Sequence, residues 1–309
     1  MTKLSVIIPT YNRAPTLAKC IAALHAQEAP AAFEIVVADD GSGDGTRATA
    51  ESFAGRGAPH VRYLHQENAG ANRARNRAIG IAQGEIVLLI NDDTIATPGM
   101  VAEHLAAHER FPDDRVAVLG RVTIAPELPY SRLAALHLDR AYRLLGDRRE
   151  LDWRAFFTCN VSVKKTLLER GGLFEERIRY HEDLELAERL SHHGLRVVYR
   201  PEALGYHDHY LTEEEFFSIA AREARALATW ARIAPRLCGT LADLGYVPAQ
   251  PFSRRLKHLL LGVAMNRATI PFWRKVARAC PPLLEPLALR LYLLLYGCVQ
   301  RAHLRRELQ

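Results

Sequence analysis

Short apolar runs alternate with amphipathic stretches along the first third of the chain. Leu4-Ser5-Val6-Ile7-Ile8 is a β-rich run that Pro9 is expected to stop. Residues 15–26 carry Leu17, Ile21 and Leu24 at helical spacing. A second strand is predicted over 33–38, ending at Asp39-Asp40-Gly41-Ser42, with a helix following from about Thr46. A third short strand is expected over 61–64, a helix over 69–82, and a fourth strand over 85–90 that ends at Asn91-Asp92-Asp93. Strands that are almost wholly apolar are covered on both faces, so the pattern predicts a parallel sheet between helical layers, a nucleotide-binding style of α/β half.

From about 116 the pattern is mixed, with strands expected near 116–124, 157–163 and 196–199 and a strong helix beginning near Glu182. Residues 211–309 read as wholly helical. Thr212-Glu213-Glu214-Glu215 has the form of a capping box, with Thr212 as N-cap and Glu215 reaching back. No internal repeat or low-complexity stretch is visible.

Composition narrows the class. The 309 residues are 49% hydrophobic and 25% charged, which excludes disordered, collagen-like and disulfide-miniprotein chains. The charge is uneven. Residues 251–309 hold eleven Lys and Arg against two acids, a net +9, which leaves −3 for the rest of a chain whose total is +6. A basic tail on a slightly acidic body points to an anionic partner such as a membrane surface. The five cysteines are scattered and form no CxxC, as expected of a reduced, cytoplasmic chain without structural zinc. Met1 leads almost directly into a strand, so no signal peptide is expected, and no run of 18 or more apolar residues suggests a bilayer span.

Two acidic clusters occupy equivalent places, after the second and the fourth strand. Ligands of open α/β sheets bind outside the carboxyl ends of the strands, so both clusters face one crevice if their strands flank the first. Carboxylates would repel a phosphate ligand unless a divalent cation lay between, and Mg²⁺ or Mn²⁺ is held by one or two carboxylates plus substrate phosphates. Taken singly, each cluster is equally well a turn with a helix cap; their joint occurrence favours the site.

Five segments in order carry a resemblance. They are Ser5-Val6-Ile7-Ile8-Pro9-Thr10-Tyr11-Asn12-Arg13, Glu34 to Ser42, Asn68-Ala69-Gly70 with Ala74-Arg75-Asn76, Asn91-Asp92-Asp93, and His181-Glu182-Asp183-Leu184-Glu185-Leu186. Together they resemble family 2 glycosyltransferases over about residues 3–210. The resemblance implies an α/β chain with the GT-A nucleotide-diphospho-sugar transferase fold: a Rossmann-like, mostly parallel sheet flanked by helices, with a C-terminal helical extension. The expected division is a catalytic domain over 1–210 (nucleotide-binding half 1–115, acceptor half 116–210) and a basic, partly amphipathic extension over 211–309.

The same resemblance implies site residues. Pro9 and Tyr11 would lie against the nucleotide base, and Asp40 would accept a base N–H, which suits uracil. Arg75 belongs to the segment that closes the nucleotide site. Asp92 would face the ribose, Asp93 would bind the metal, and His207 would complete the metal or diphosphate site. Asp183 stands where the family places its catalytic base, with Glu182 beside it. Asn160 is expected either to face the acceptor pocket or to be a satisfied core amide. Three departures stand out: Asn91 replaces the first Asp of the metal motif, Ala78 ends the Arg-Asn-x-Gly pattern, and Gly171-Gly172-Leu173-Phe174-Glu175-Glu176 replaces Gly-Gly-Phe-Asp-Glu. His104 and His108 have metal-pair spacing but no evident third ligand, and His192-His193 reads as a surface helix end.

The chemistry suits these residue types. A metal neutralises the departing nucleoside diphosphate, and a carboxylate base activates the acceptor hydroxyl. Attack opposite the leaving group inverts the anomeric carbon in a single displacement. The expectation is therefore a Mn²⁺- or Mg²⁺-dependent inverting glycosyltransferase moving a sugar from a nucleotide-sugar, UDP-linked, to a saccharide or lipid-linked acceptor of a surface polysaccharide. A sugar-phosphate nucleotidyltransferase is the alternative, but no Gly-rich triphosphate loop follows the first strand. A silent nucleotide-sugar-binding module is another, against which stand the intact Asp93 and Asp183. In the tail, Leu287, Leu291, Leu294, Leu295 and Val299 recur at helical spacing near Arg290, Arg301, Arg305 and Arg306. Such helices lie in a membrane interface, pack internally or form a homodimer. With the first use the enzyme would be peripheral on the cytoplasmic face. No nucleic-acid partner is expected, since aromatics are not interleaved with the basic residues.

Overall fold

The computed structural model describes residues 2–234 and 238–309. The chain divides into two compact units. One holds the described residues up to Pro129 and Leu138–Tyr210; the other holds Tyr130–His137 and the described residues of Leu211–Gln309.

In the first unit, β1 (Leu4–Thr10), α1 (Ala14–His25), β2 (Phe33–Asp39), α2 (Thr46–Ala54), β3 (His60–His65), α3 (Ala71–Ile81) and β4 (Ile86–Ile90) follow in strict alternation. β1 is flanked by β2 and β4, both parallel to it, and β3 pairs in parallel with β2. The two acidic clusters are therefore neighbours at one rim. β1 runs through Pro9 to Thr10 rather than stopping before it: Pro9 is in register with Ala38, while pairing with β4 ends at Ile7.

The parallel pattern then breaks. β5 (Thr94–Ala96), α4 (Met100–Arg110), β6 (Val116–Ile124), the helical turns α5 (Arg132–Ala134) and α6 (Arg140–Leu145), the short β7 (Glu150–Leu151), β8 (Asn160–Lys164), α7 (Lys165–Gly171), α8 (Glu182–Ser191) and β9 (Arg196–His207) complete the unit, apart from α5. β8 inserts antiparallel between β4 and β6, and β6 pairs in parallel with β9. The sheet order is β3-β2-β1-β4-β8-β6-β9-β5, with β7 pairing β9. β9 is far longer than the expected 196–199, and its second half, past a register shift against Gly120/Arg121, carries His207 to the rim. Apolar cores lie on both faces of the sheet, around Ile7, Val36 and Leu119 on one and Val6, Ile8 and Leu88 on the other.

His104 and His108 belong to this buried framework. Both bond the Ser162 hydroxyl, at 2.8 and 2.9 Å, and His104 also meets Asn160 Oδ1 at 2.8 Å. Their i, i+4 spacing thus serves a hydrogen-bond network behind β8.

The helical unit comprises α9 (Glu213–Ile233), α10 (Cys238–Asp243), α11 (Phe252–Ala264), α12 (Ile270–Ala279) and α13 (Glu285–Glu307), joined by α5. The capping box forms as expected: Glu215 N–H donates to Thr212 Oγ1, and Thr212 N–H to Glu215 Oε2. Pro282–Glu307 is long and apolar enough to cross a membrane by length and composition, contrary to the expectation from unbroken apolar runs, because a window average tolerates Arg290. One side of α13 is nevertheless core. Its buried line runs through Ala288, Tyr292 and Leu295, so that of the stripe at helical spacing Leu295 faces the core while Leu287 is 48% exposed, which defines the helix's rotation. Polar anchors set that rotation: Tyr292 OH donates to Glu213 and Gln300 to Glu223, at 2.9 and 2.8 Å.

Candidate functional site

The rim at the carboxyl ends of β1, β2 and β4 gathers the charged loops. Thr10 Oγ1 donates to Asp92 Oδ2 at 2.8 Å. Arg13, on the β1–α1 loop, reaches Asp92 Oδ1 at 2.8 Å and Asp93 Oδ2 at 3.0 Å. Burial pushes the Asp92 carboxyl up to about 6, with Arg13 pulling it down and Asp93 pushing it further up. No role was assigned to Arg13 from sequence; its signal was its place directly after the first strand, beside an expected acidic rim.

Asp93 and His207 meet across the sheet. His207 Nε2 lies 3.6 Å from Asp93 Oδ2, and Asp208 N–H donates to the Asp93 carbonyl at 2.8 Å. β5 makes this possible: Thr94, adjoining Asp93, is paired with His207 in antiparallel register. Asp93 Oδ1 is buried without a hydrogen-bond partner among the described residues. A buried, unsatisfied carboxylate oxygen is costly unless a ligand completes it. A hard oxygen beside an imidazole nitrogen fits Mn²⁺ or Mg²⁺. No group of three or more His, Cys, Asp or Glu placed to hold a metal occurs among the described residues, so further ligands would have to come from a diphosphate and water.

On the nucleotide side, the expected residues separate. Tyr11 stands 49% exposed just past β1, open for stacking, whereas Pro9 is buried inside the strand and offers no free face. Asp40 is buried, and its Oδ1 accepts from Gln66 Nε2, Ala69 N and Gly70 N at 2.7, 2.8 and 3.1 Å. Its Oδ2 accepts from Gly70 N at 2.9 Å and retains lone-pair capacity. Gly70 can present its N–H this way because φ +107 is open to glycine. Asn12, also at positive φ, ties the first loop to the second: its N–H donates to Ser42 Oγ and its Oδ1 accepts from Gly43 N, both at 2.8 Å.

The opposite wall is the start of α8. Acidic residues suit a helix N-terminus, and Asp183 Oδ1 accepts from Leu184 N–H at 2.8 Å. Burial, aided by the Glu182 charge, pushes the Asp183 carboxyl up to about 7, against the pull of Leu184 N–H and Arg75. His181, the residue before, holds φ +59, a strained value for a non-glycine residue. Arg75 links this wall to the metal-motif loop. Its guanidinium donates to Glu182 at 3.0 Å, Asn72 at 2.9 Å and Asn91 at 3.4 Å. Arg75 is 5% exposed and committed to protein acceptors, so it braces the site instead of offering open donors to a nucleotide. Burial pushes the Cys159 thiol up to about 11, and both Asp183 and Asp93 add to that, placing the two carboxylates within electrostatic reach of one side chain.

The altered Gly171–Glu176 loop is well held. Asn76 exchanges a reciprocal pair with Phe174, both at 2.9 Å, and Asn72 donates to the carbonyls of Glu175 and Ile178. Asn160 is fully buried. Its Nδ2 donates to the carbonyls of Arg121 and Ala203, and its Oδ1 faces His104. It is the satisfied core amide, not an acceptor-facing group. Its side chain is spent on joining three strands.

A nucleotide-style sheet with carboxylates at its rim, extended by an antiparallel half that returns a histidine, defines a GT-A glycosyltransferase. The family model described as Glycosyl transferase family 2 matches residues 5–171, and the chain belongs to that family. An uncharacterised glycosyltransferase of Escherichia coli K12, YibD, is 44% identical over 215 residues, 65% of this chain and 60% of its own length. The chain spans 51–65% of the length of the first curated relatives it matches. Two solved structures share the fold. A mannosyltransferase from Pyrobaculum calidifontis in complex with GDP-Man and Mn²⁺ superposes with a TM-score of 0.62 at 20% identity, covering 96% of this chain and 85% of that one. S. aureus TarS 1–349 in complex with UDP gives 0.56 at 18% identity, covering 100% and 92%.

Proposed function

We propose that this glycosyltransferase uses a divalent cation and transfers a sugar from UDP to an acceptor hydroxyl with inversion, Asp183 acting as the general base. The observation that carries the reading is the pairing of Asp93, with its buried unpartnered oxygen, with His207; Asp183 supports it by acting, with Asp93, on the Cys159 thiol. When bound by Asp93 and His207, a cation supplies charge neutralisation for the departing diphosphate. The chain's own groups do the rest. Asp183, near pH 7 in its titration, takes the acceptor O–H proton. The acceptor oxygen then bonds the anomeric carbon, and the bond from that carbon to the diphosphate oxygen breaks with its electron pair leaving on UDP. Arg75 holds Glu182, and so the start of α8, against Asn91. Tyr11 covers the base, and Asp40 Oδ2 takes its N–H.

The acceptor is a saccharide or lipid-linked saccharide of a surface polysaccharide, and the enzyme works peripherally on the cytoplasmic face of the membrane. The exposed Phe252, Leu260, Val263 and Phe272 among basic residues support that placement.

The test is Asp183→Asn, scored with UDP-sugars and Mn²⁺. Transfer is expected to fall at least about 10³-fold while UDP–Mn²⁺ binding by calorimetry stays within twofold. Transfer that persists, or that yields a retained anomer by NMR, would sink the assignment. A donor panel of UDP-, GDP- and dTDP-sugars, with and without Mn²⁺, checks the nucleotide.

A further inference from the structure

The helical unit carries a second feature, a half-open pocket of about 420 Å³ bounded by α11, the turn into α12 and the last turns of α13. Arg267, Arg301, Arg305 and Arg306 line it, and no Asp or Glu does. The four arginines have no carboxylate partner among the described residues, and Arg301 rests on Cys298 Sγ at 3.2 Å. Some arginines elsewhere in the same unit are matched: Arg274 and Arg278 meet Glu213, and Arg132 meets Glu285. His258, also on the wall, has a buried Nδ1 without a hydrogen-bond partner among the described residues. Burial pushes its titration down and the Arg301 charge adds to this, a sign of positive potential inside the cavity.

Like charges gathered around one space repel unless an anion sits among them. Guanidinium forks match phosphate oxygens in pairs. The remaining wall includes Met265 and Ile270, which a bare anion would leave unused. A space of this size suits a small ligand with both parts. α11 divides its faces accordingly: His258, Gly262 and Met265 turn to the cavity, while Leu256, Leu259, Leu260 and Val263 are exposed.

We propose that this cavity binds the phosphate end of an anionic amphiphile, the phosphate among the arginines and the apolar part along Met265 and Ile270. The proposal concerns a site other than the transfer cleft, and its test does not depend on the reaction.

The full chain is titrated by calorimetry with inorganic phosphate, dihexanoyl phosphatidic acid and dihexanoyl phosphatidylcholine, below their micelle concentrations. Phosphatidic acid is expected to bind at least tenfold more tightly than either of the others. Gly262→Leu is the decisive variant. A Cβ at Gly262 meets nothing within 4 Å, and leucine favours helix over glycine, so the side chain fills the cavity without opposing the fold. Gly262→Leu should weaken phosphatidic acid binding at least tenfold with no fall in melting temperature. Arg305→Gln, at an exposed position, should weaken it at least threefold. Phosphatidic acid that fails to bind, inorganic phosphate that binds as tightly, or a Gly262→Leu protein that binds like the parent would each overturn the proposal.

Discussion

The two units handle the charges around their pockets in different ways. In the catalytic unit several of the rim's charged groups are paired within the protein: Arg13 lies on Asp92 and Asp93, Arg75 on Glu182, and Lys19 on Asp208. In the helical unit, Glu213 and Glu285 are matched, but the pocket arginines have no carboxylate partner among the described residues. Such pairs tie the loops of the rim to one another. A cationic pocket without such partners is open to an anion, as proposed above. Desolvation also shifts titratable groups in both units. The first unit buries His104 and His108 as neutral rings, with burial driving them down to about 4 and 3. In the second, desolvation drives the half-buried Glu223 up to about 7.

The sharpest way to break this comparison is at Asp93. Asp93→Asn removes the charge that faces His207 and is expected to lower Mn²⁺ affinity in the presence of UDP at least tenfold, read by the electron paramagnetic resonance of free Mn²⁺, and activity by about 10²–10³-fold. Unchanged Mn²⁺ binding would separate the orphaned oxygen from any cation role. Next is Arg75→Ala, which leaves Glu182 unmatched in a largely buried setting and should destabilise the fold by about 3 kcal/mol in denaturant titrations. A loss below about 1 kcal/mol would show that the brace is dispensable.

Acid and base should then distinguish the units. His104 and His108 remain neutral in the fold below their ordinary 6.5, where the unfolded chain takes up protons first, so they lower stability as pH falls from about 6.5 towards 3. His108→Gln should reduce that acid loss by on the order of 2 kcal/mol relative to the parent, measured by thermal unfolding at pH 4 and pH 7. Glu223 carries the opposite sign. The fold keeps its proton between the ordinary 4.5 and about 7 while the unfolded chain has lost it, so its contribution is greatest below 4.5 and declines as pH rises to 7. Glu223→Gln should therefore gain on the order of 1–2 kcal/mol over the parent above pH 7, and little at pH 4. Equal gains at both pH values would mean that the glutamate is not held protonated.

Much of the catalytic unit was legible because each piece of it is local. An apolar run such as Glu34 to Ala38, punctuated by Asp39-Asp40-Gly41, specifies its own strand and its own exit. The Thr212–Glu215 box likewise specifies its own helix start. Pro9 shows the limit. Its missing N–H reads as a stop, yet β1 tolerates it because pairing with β4 has already ended at Ile7. Arg75 and Asn160 show the same limit for polar side chains. Each has the chemistry of a ligand-binding group, and only the acceptors that fold around it decide that it faces inward.

The sequence by itself determined the alternation of strands and helices, the family, and the two acidic exits from the sheet, since these follow from residue periodicity and turn chemistry over a few positions. Tertiary structure alone decided that His207 lies 3.6 Å from Asp93, that Arg13 spans both rim carboxylates, and that four arginines of the tail surround one cavity. Those juxtapositions depend on the order in which strands pair and the rotation at which helices settle. Both are set by packing among residues far apart in the chain, where no local pattern reaches.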